Sequence, residues 1–114
     1  MARQPSAAAP KRAPSPERAA MNRLAAVMQR GATPDRMARE VDAVVAQLRE
    51  AADLDQVQTW LEELRDGFAE SADAAAEAVD EVEVTEKAAR RHAENAALAM
   101  AATRDAFARH LAGA

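Results

Sequence analysis

From Leu54 onward, apolar or small side chains recur at spacings of three, four or seven. They are Leu54, Val57, Leu61, Leu64, Phe68, Ala72, Ala75, Val79 and Val82, then Ala89, Ala93, Ala96, Met100, Phe107 and Leu111. That spacing puts one side chain on the same helical face at each turn, and held over this length it predicts a coiled-coil type seam. An unbroken helix from Leu54 to Leu111 would be about 87 Å long at 1.5 Å per residue, and it would need a partner along its length.

Two shorter helices precede it. Ser15-Pro16-Glu17 supplies a capping hydroxyl, a proline at the first helical position and an acid in the first turn, and Met21, Leu24, Val27 and Met28 follow as a narrow stripe. Gly31 suits the left-handed position that closes such a helix. Thr33-Pro34-Asp35 repeats the start signal, and Met37, Val41, Val44 and Leu48 form the next apolar face. Asp53 with Gln56 three residues on resembles a capping box, which predicts a break between this helix and the long pattern. Residues 1–14 are Pro/Ala/Ser with scattered bases and no periodicity, the composition of a disordered arm. The expected organisation is a disordered arm over 1–14, two short helices over 15–52, and a long Ala-rich helix or antiparallel hairpin over 53–114. The fold class is all-α.

Whether 53–114 is one helix or a hairpin rests on residues 82–87. The run Val82-Val84-Thr85 has lower helix propensity than its alanine-rich flanks, and the charge changes sign at Lys87. No Gly, Pro or Asn marks a turn there, so an unbroken helix pairing antiparallel with a second copy is the preferred reading. The expected interface seam is Leu54, Val57, Leu61, Leu64, Phe68, Val79, Val82, Met100, Phe107 and Leu111.

Composition narrows the function. Half of the 114 residues are hydrophobic (49%), but most of these are alanine, and Trp60, Phe68 and Phe107 are the only aromatics. Small side chains favour thin, closely spaced helices over a deep catalytic pocket. The absence of cysteine removes disulfides, thiolate catalysis and Cys-based zinc sites. The first thirty residues hold no apolar run of signal-peptide type, and no stretch approaches the roughly 20 apolar residues of a membrane span, so a cytoplasmic location is expected.

The net charge of −4 conceals a basic, acidic, basic order. Residues 1–40 carry eight bases against three acids, residues 50–86 thirteen acids against Arg65 alone, and residues 87–114 five bases against Glu94 and Asp105. Such a chain can pair with itself or with a second copy. The basic residues Arg3, Lys11, Arg12, Arg18, Arg23, Arg30, Arg36 and Arg39 are the candidate polyanion contacts. The stretch from Leu24 to Val45 has the outline of a helix-turn-helix, but the thirteen acids that follow would repel phosphate.

Candidate chemistry is sparse. His92 and His110 have no nucleophile or metal partner at a meaningful spacing. Glu77, Asp80, Glu81, Glu83 and Glu86 are the densest acids, but the Glu-x-x-His motif of carboxylate bundles is missing, so a solvated acidic face or a docking surface is the better reading. Trp60 sits one position before Leu61 and is expected to flank the core. The sequence therefore predicts a protein without catalytic residues, metal, cofactor or small-molecule substrate. It would act through self-association, as a homodimer, or through a helical partner, with nucleic-acid contact by the basic N-terminal region as the alternative.

Overall fold

The structure, a computed structural model, describes residues 14–113. The described residues form four helices: α1 (Pro16–Gln29), α2 (Pro34–Ala51), α3 (Leu54–Glu81) and α4 (Lys87–Gly113). The segment read as a disordered arm lies, but for Pro14, outside the described residues, together with Arg3, Lys11 and Arg12.

Three of the helix starts are set by one side chain each. The Ser15 hydroxyl accepts from the Arg18 N–H at 3.2 Å, Thr33 from Arg36 at 3.1 Å, and Asp53 from Gln56 at 2.9 Å, so each satisfies a donor the helix leaves unpaired. Helix α1 ends where Gly31 adopts φ +82°, its N–H donating to the Met28 carbonyl at 2.9 Å. A side chain at that backbone angle is strained, which is why glycine closes the turn.

The long apolar pattern is not one helix. It folds back at Val82–Glu86 into an antiparallel hairpin of α3 and α4, correcting the preferred reading of an unbroken helix. The reason is a device no local motif announces. Val82 turns to φ −82°, ψ 132°, and the guanidinium of Arg90, arriving on α4, donates to the carbonyls of Val79 at 3.3 Å and Val82 at 3.1 Å. A cation from the incoming helix thus satisfies carbonyls that the outgoing helix leaves open, the task usually given to a C-terminal glycine.

One core joins all four helices. Leu24 and Val27 of α1, Met37, Val41, Val44, Val45 and Leu48 of α2, Val57, Leu61, Leu64 and Phe68 of α3, and Ala99, Ala106 and Phe107 of α4 are buried together. On the hairpin these run from Val57 to Phe68 of α3 and from Ala99 to Phe107 of α4, so the core occupies the open end of the hairpin. Between Asp73 and Leu98 no residue is buried. The hairpin therefore projects about 14–18 Å beyond the core, counting 1.5 Å per residue from Ala72 and Ala99 to the helix ends. The radius of gyration is 17.0 Å, against about 13 Å for a compact chain of this size.

Polar contacts brace the core from outside. Glu40 of α2 receives Arg23 of α1 (Nη2 to Oε1, 3.0 Å) and Arg36 of its own helix (Nε to Oε2, 3.1 Å). The Arg36 hydrogen bond, with Arg23 adding to it, holds the Glu40 carboxyl below the usual carboxylate value against the opposing effect of burial. His110 Nε2 lies 2.7 Å from Asp42 Oδ1 and ties α4 to α2.

Candidate docking groove and arginine cleft

Two of the concave surfaces beside α1 combine chemistry from several elements. One, about 650 Å³, is a groove between α1 and the α3–α4 hairpin. Its α1 wall is Met21, Ala25, Met28 and Gln29, its α3 wall Phe68 and Ser71, and its α4 wall His92, Asn95, Ala96, Ala99 and Met100.

The groove exists because α1 carries more apolar surface than its core contacts use. Ala20, Leu24 and Val27 are buried. One residue round the helix, Met21, Ala25 and Met28 form a second stripe that is only half-buried. Helix α1 leans mainly on α2 and touches α3 lightly, so this second stripe faces the hairpin across a gap. At one end Met21 reaches α3, its Cε lying an ordinary contact distance of 3.5 Å from where a Cβ on Gly67 would stand. Methionine is unbranched and polarisable and fills irregular gaps, so three methionines round a groove make an adaptable surface for an apolar guest.

Carboxylates occupy the solvent-facing side of α3, away from Phe68 and Ser71. Glu63 and Glu70 stand four residues before and three after Gly67, on the same face of α3, and Glu77 continues the row at the same interval of seven. All three are exposed. Burial, and next the neighbouring Glu63 carboxyl, raise the Glu17 carboxyl at the start of α1 above the usual value.

The second surface, about 360 Å³, is lined by Val27, Arg30, Gly31, Ala32, Thr33, Arg36 and Arg39 at the turn between α1 and α2. Here the structure brings together three of the basic residues picked out from the sequence. Arg30 and Arg39 are exposed, and Arg36 is shared with Glu40. Arg23 is committed to Glu40 and Gln47, and Arg18 lies at the other end of α1, beside Ser15, Glu17 and Met21.

Comparison of the chain with family models, with characterised proteins and with solved structures found no match.

The ten seam residues are distributed as follows. Val57, Leu61, Leu64, Phe68 and Phe107 are buried in the chain's own core, and Met100 and Leu111 pack partly buried against it. Val79 and Val82 are half-buried at the hairpin's far end, while Leu54 is 71% exposed at the start of α3. Trp60 flanks the core, half-buried. Among the described residues, no ion pair joins the acids of α3 to the bases of α4: Arg65 pairs with Asp66, Arg90 with Glu94 and Arg104 with Asp105, each within one helix. The hairpin is thus held by its apolar core, by small side chains beyond it and by Arg90 at the turn, with no ion pair between its two helices among the described residues. Among the described residues no three His, Asp or Glu side chains converge as a metal site, and no helix is long and apolar enough to cross a membrane.

Sequence reasoning places Met21, Met28 and Met100 on apolar stripes but does not show that they share a wall. Gln29, Ser71 and Asn95 belong to no motif, and His92 has no partner at a meaningful spacing. The available signal is the width of α1's apolar face, since Met21 and Met28 are seven apart and each one step past a core position, Ala20 and Val27.

Proposed function

We propose that this chain is a non-catalytic helical docking module that takes an amphipathic helix of a partner into the groove between α1 and the α3–α4 hairpin. The observation that carries this reading is the groove itself, about 650 Å³, with Met21, Met28 and Met100 round Phe68 and Ala99. Helix-in-groove recognition needs an apolar trough of this kind with polar groups at its edges, here Gln29, Ser71, His92 and Asn95. Docking of another protein is favoured over self-association through the seam because five of the seam residues are already used inside the chain.

Methyl-labelled methionine provides the test. Titration with a synthetic helical peptide bearing a Leu/Ala face and an uncharged Gln/Ser face should move the Met21, Met28 and Met100 resonances. Met37 is fully buried away from the groove and should stay fixed. Ala25→Glu, which places a charge on the groove wall, should abolish the shifts. If the three methyls stay still at millimolar peptide, the groove is not a helix site.

A second reading, contact with nucleic acid, is favoured by the cleft where Arg30, Arg36 and Arg39 converge. It requires a salt-dependent mobility shift of labelled DNA that Arg30→Ala with Arg39→Ala removes, and no shift at low salt excludes it.

A further inference from the structure

Independently of the groove, we propose that the arginine cleft at the α1–α2 turn binds a single dianionic phosphate group, free or at the end of a small ester. The cleft is a concavity of about 360 Å³, at the lower end of the roughly 300–1,000 Å³ of small-ligand sites. Arg30, Arg36, Arg39 and Thr33 supply its polar wall. A Cβ on Gly31 would meet nothing within 4 Å, so the turn itself leaves open space beside them. Guanidinium groups hold phosphate oxygens by paired, charge-assisted hydrogen bonds, and three of them round one concavity match the charge of a phosphate dianion.

This charge is not spent within the fold. Among the described residues the side chains of Arg30 and Arg39 enter no ion pair, and both are exposed. Arg36 gives its Nε to Glu40 at 3.1 Å, which orients the guanidinium and leaves its two Nη groups for a ligand. The Thr33 hydroxyl accepts from the Arg36 N–H and keeps its own proton to donate. The site rests on these side chains, since Pro34 has no N–H to offer and those of Arg36 and Met37 are bonded to Thr33. Helix polarity does not account for the cluster. Arg30 suits the C-terminal end of α1, but Arg36 and Arg39 stand in the first two turns of α2, the wrong end for a cation. A nucleic-acid strand fits less well than one phosphate. It needs a longer run of cations, and along α2 the arginines are bounded by exposed Asp35 and Asp42, neither of which lines the cleft.

Calorimetric titration of the full chain at low salt provides the test, with inorganic phosphate, glycerol phosphate and dimethyl phosphate as probes. At least one of the first two should bind in the millimolar range or tighter, and dimethyl phosphate, a diester with one negative charge, at least about tenfold more weakly. Arg30→Ala with Arg39→Ala should abolish binding without loss of helix content, since both side chains are exposed. Asp35→Asn should tighten it, and Arg18→Ala, at the far end of α1, should leave it unchanged. The first two probes separate the sources. Inorganic phosphate that binds as well as the ester identifies the free ion as the ligand, and tighter binding of glycerol phosphate identifies a small ester. No heat from either at about 10 mM overturns the proposal, as does binding that survives loss of both arginines or that dimethyl phosphate matches. Two larger ligands would also overturn it. A DNA strand without a terminal phosphate that binds as tightly as the small probes, through the same arginines, makes the cleft a backbone contact. A phosphoserine peptide that binds at least about tenfold tighter than either probe makes it a protein-docking site.

Discussion

Phe68 of α3 and Phe107 of α4 stack with ring centroids 6.1 Å apart and an interplanar angle of 20°. Both are buried, and they are the chain's only phenylalanines, so the hairpin's open end is locked by one aromatic pair at the place where α1 and α2 also converge. Phe107→Ala should cost about 3–5 kcal/mol, because the cavity would be lined by side chains from all four helices and close poorly. Against the roughly 5–15 kcal/mol typical of a small domain, that loss should lower the midpoint of urea unfolding by at least about a fifth. Phe107→Leu should recover more than half of it.

The far half of the hairpin should open before the core does. No residue from Asp73 to Leu98 is buried, whereas α3 and α4 are both anchored beyond those limits. Amide exchange should show weaker protection over 73–98 than over 57–72 and 99–107. Arg90→Ala removes the donors to the Val79 and Val82 carbonyls and should accelerate exchange across the turn further, at a cost of about 1 kcal/mol. Equal protection along the whole hairpin would show that small-residue packing alone stabilises the projecting part.

Two carboxylates should respond to pH in opposite senses. Glu40 is held below its ordinary value by Arg36 and Arg23, so its contribution is present above the unfolded value of 4.5 and is lost as the pH falls through the folded value. Glu40→Gln should therefore cost about 1 kcal/mol at pH 7, discounting for the exposure of its arginines, and progressively less in acid. Glu17 is raised by burial and by Glu63, so its contribution is full below 4.5 and is lost as the pH rises through the folded value. Glu17→Gln should leave stability almost unchanged in acid and increase it at neutral pH. Thermal unfolding of the two variants between pH 3 and 8 separates these signs.

Gly67 offers a stabilising change. It lies within α3, and a Cβ there would meet Met21 Cε at an ordinary contact distance of 3.5 Å. Gly67→Ala should raise stability by up to about 1 kcal/mol through helix propensity, a melting-point rise of about 4–8 °C for a chain of this size. A fall in melting point would mean that Met21 has no room to give.

The helix starts and the α1 closure were legible in the sequence because they are local. Ser15, Thr33 and Asp53 each bond a backbone N–H three residues away, and Gly31 answers to its own φ angle, so no distant contact is needed to place them. The apolar faces were legible for the same reason, since a helical repeat depends only on spacing. What that spacing leaves open is what lies opposite. Val57, Leu61, Leu64 and Phe68 satisfy the same pattern whether they meet a second copy or α4 of their own chain. Only the tertiary structure chose the latter, through Arg90 reaching eight and eleven residues back to carbonyls that carry no sequence signature. The groove was decided at the same level. Met21 and Met28 read as part of one stripe in α1, and they became a wall only because the lean of that helix toward α2 left their side of it facing the hairpin across open space.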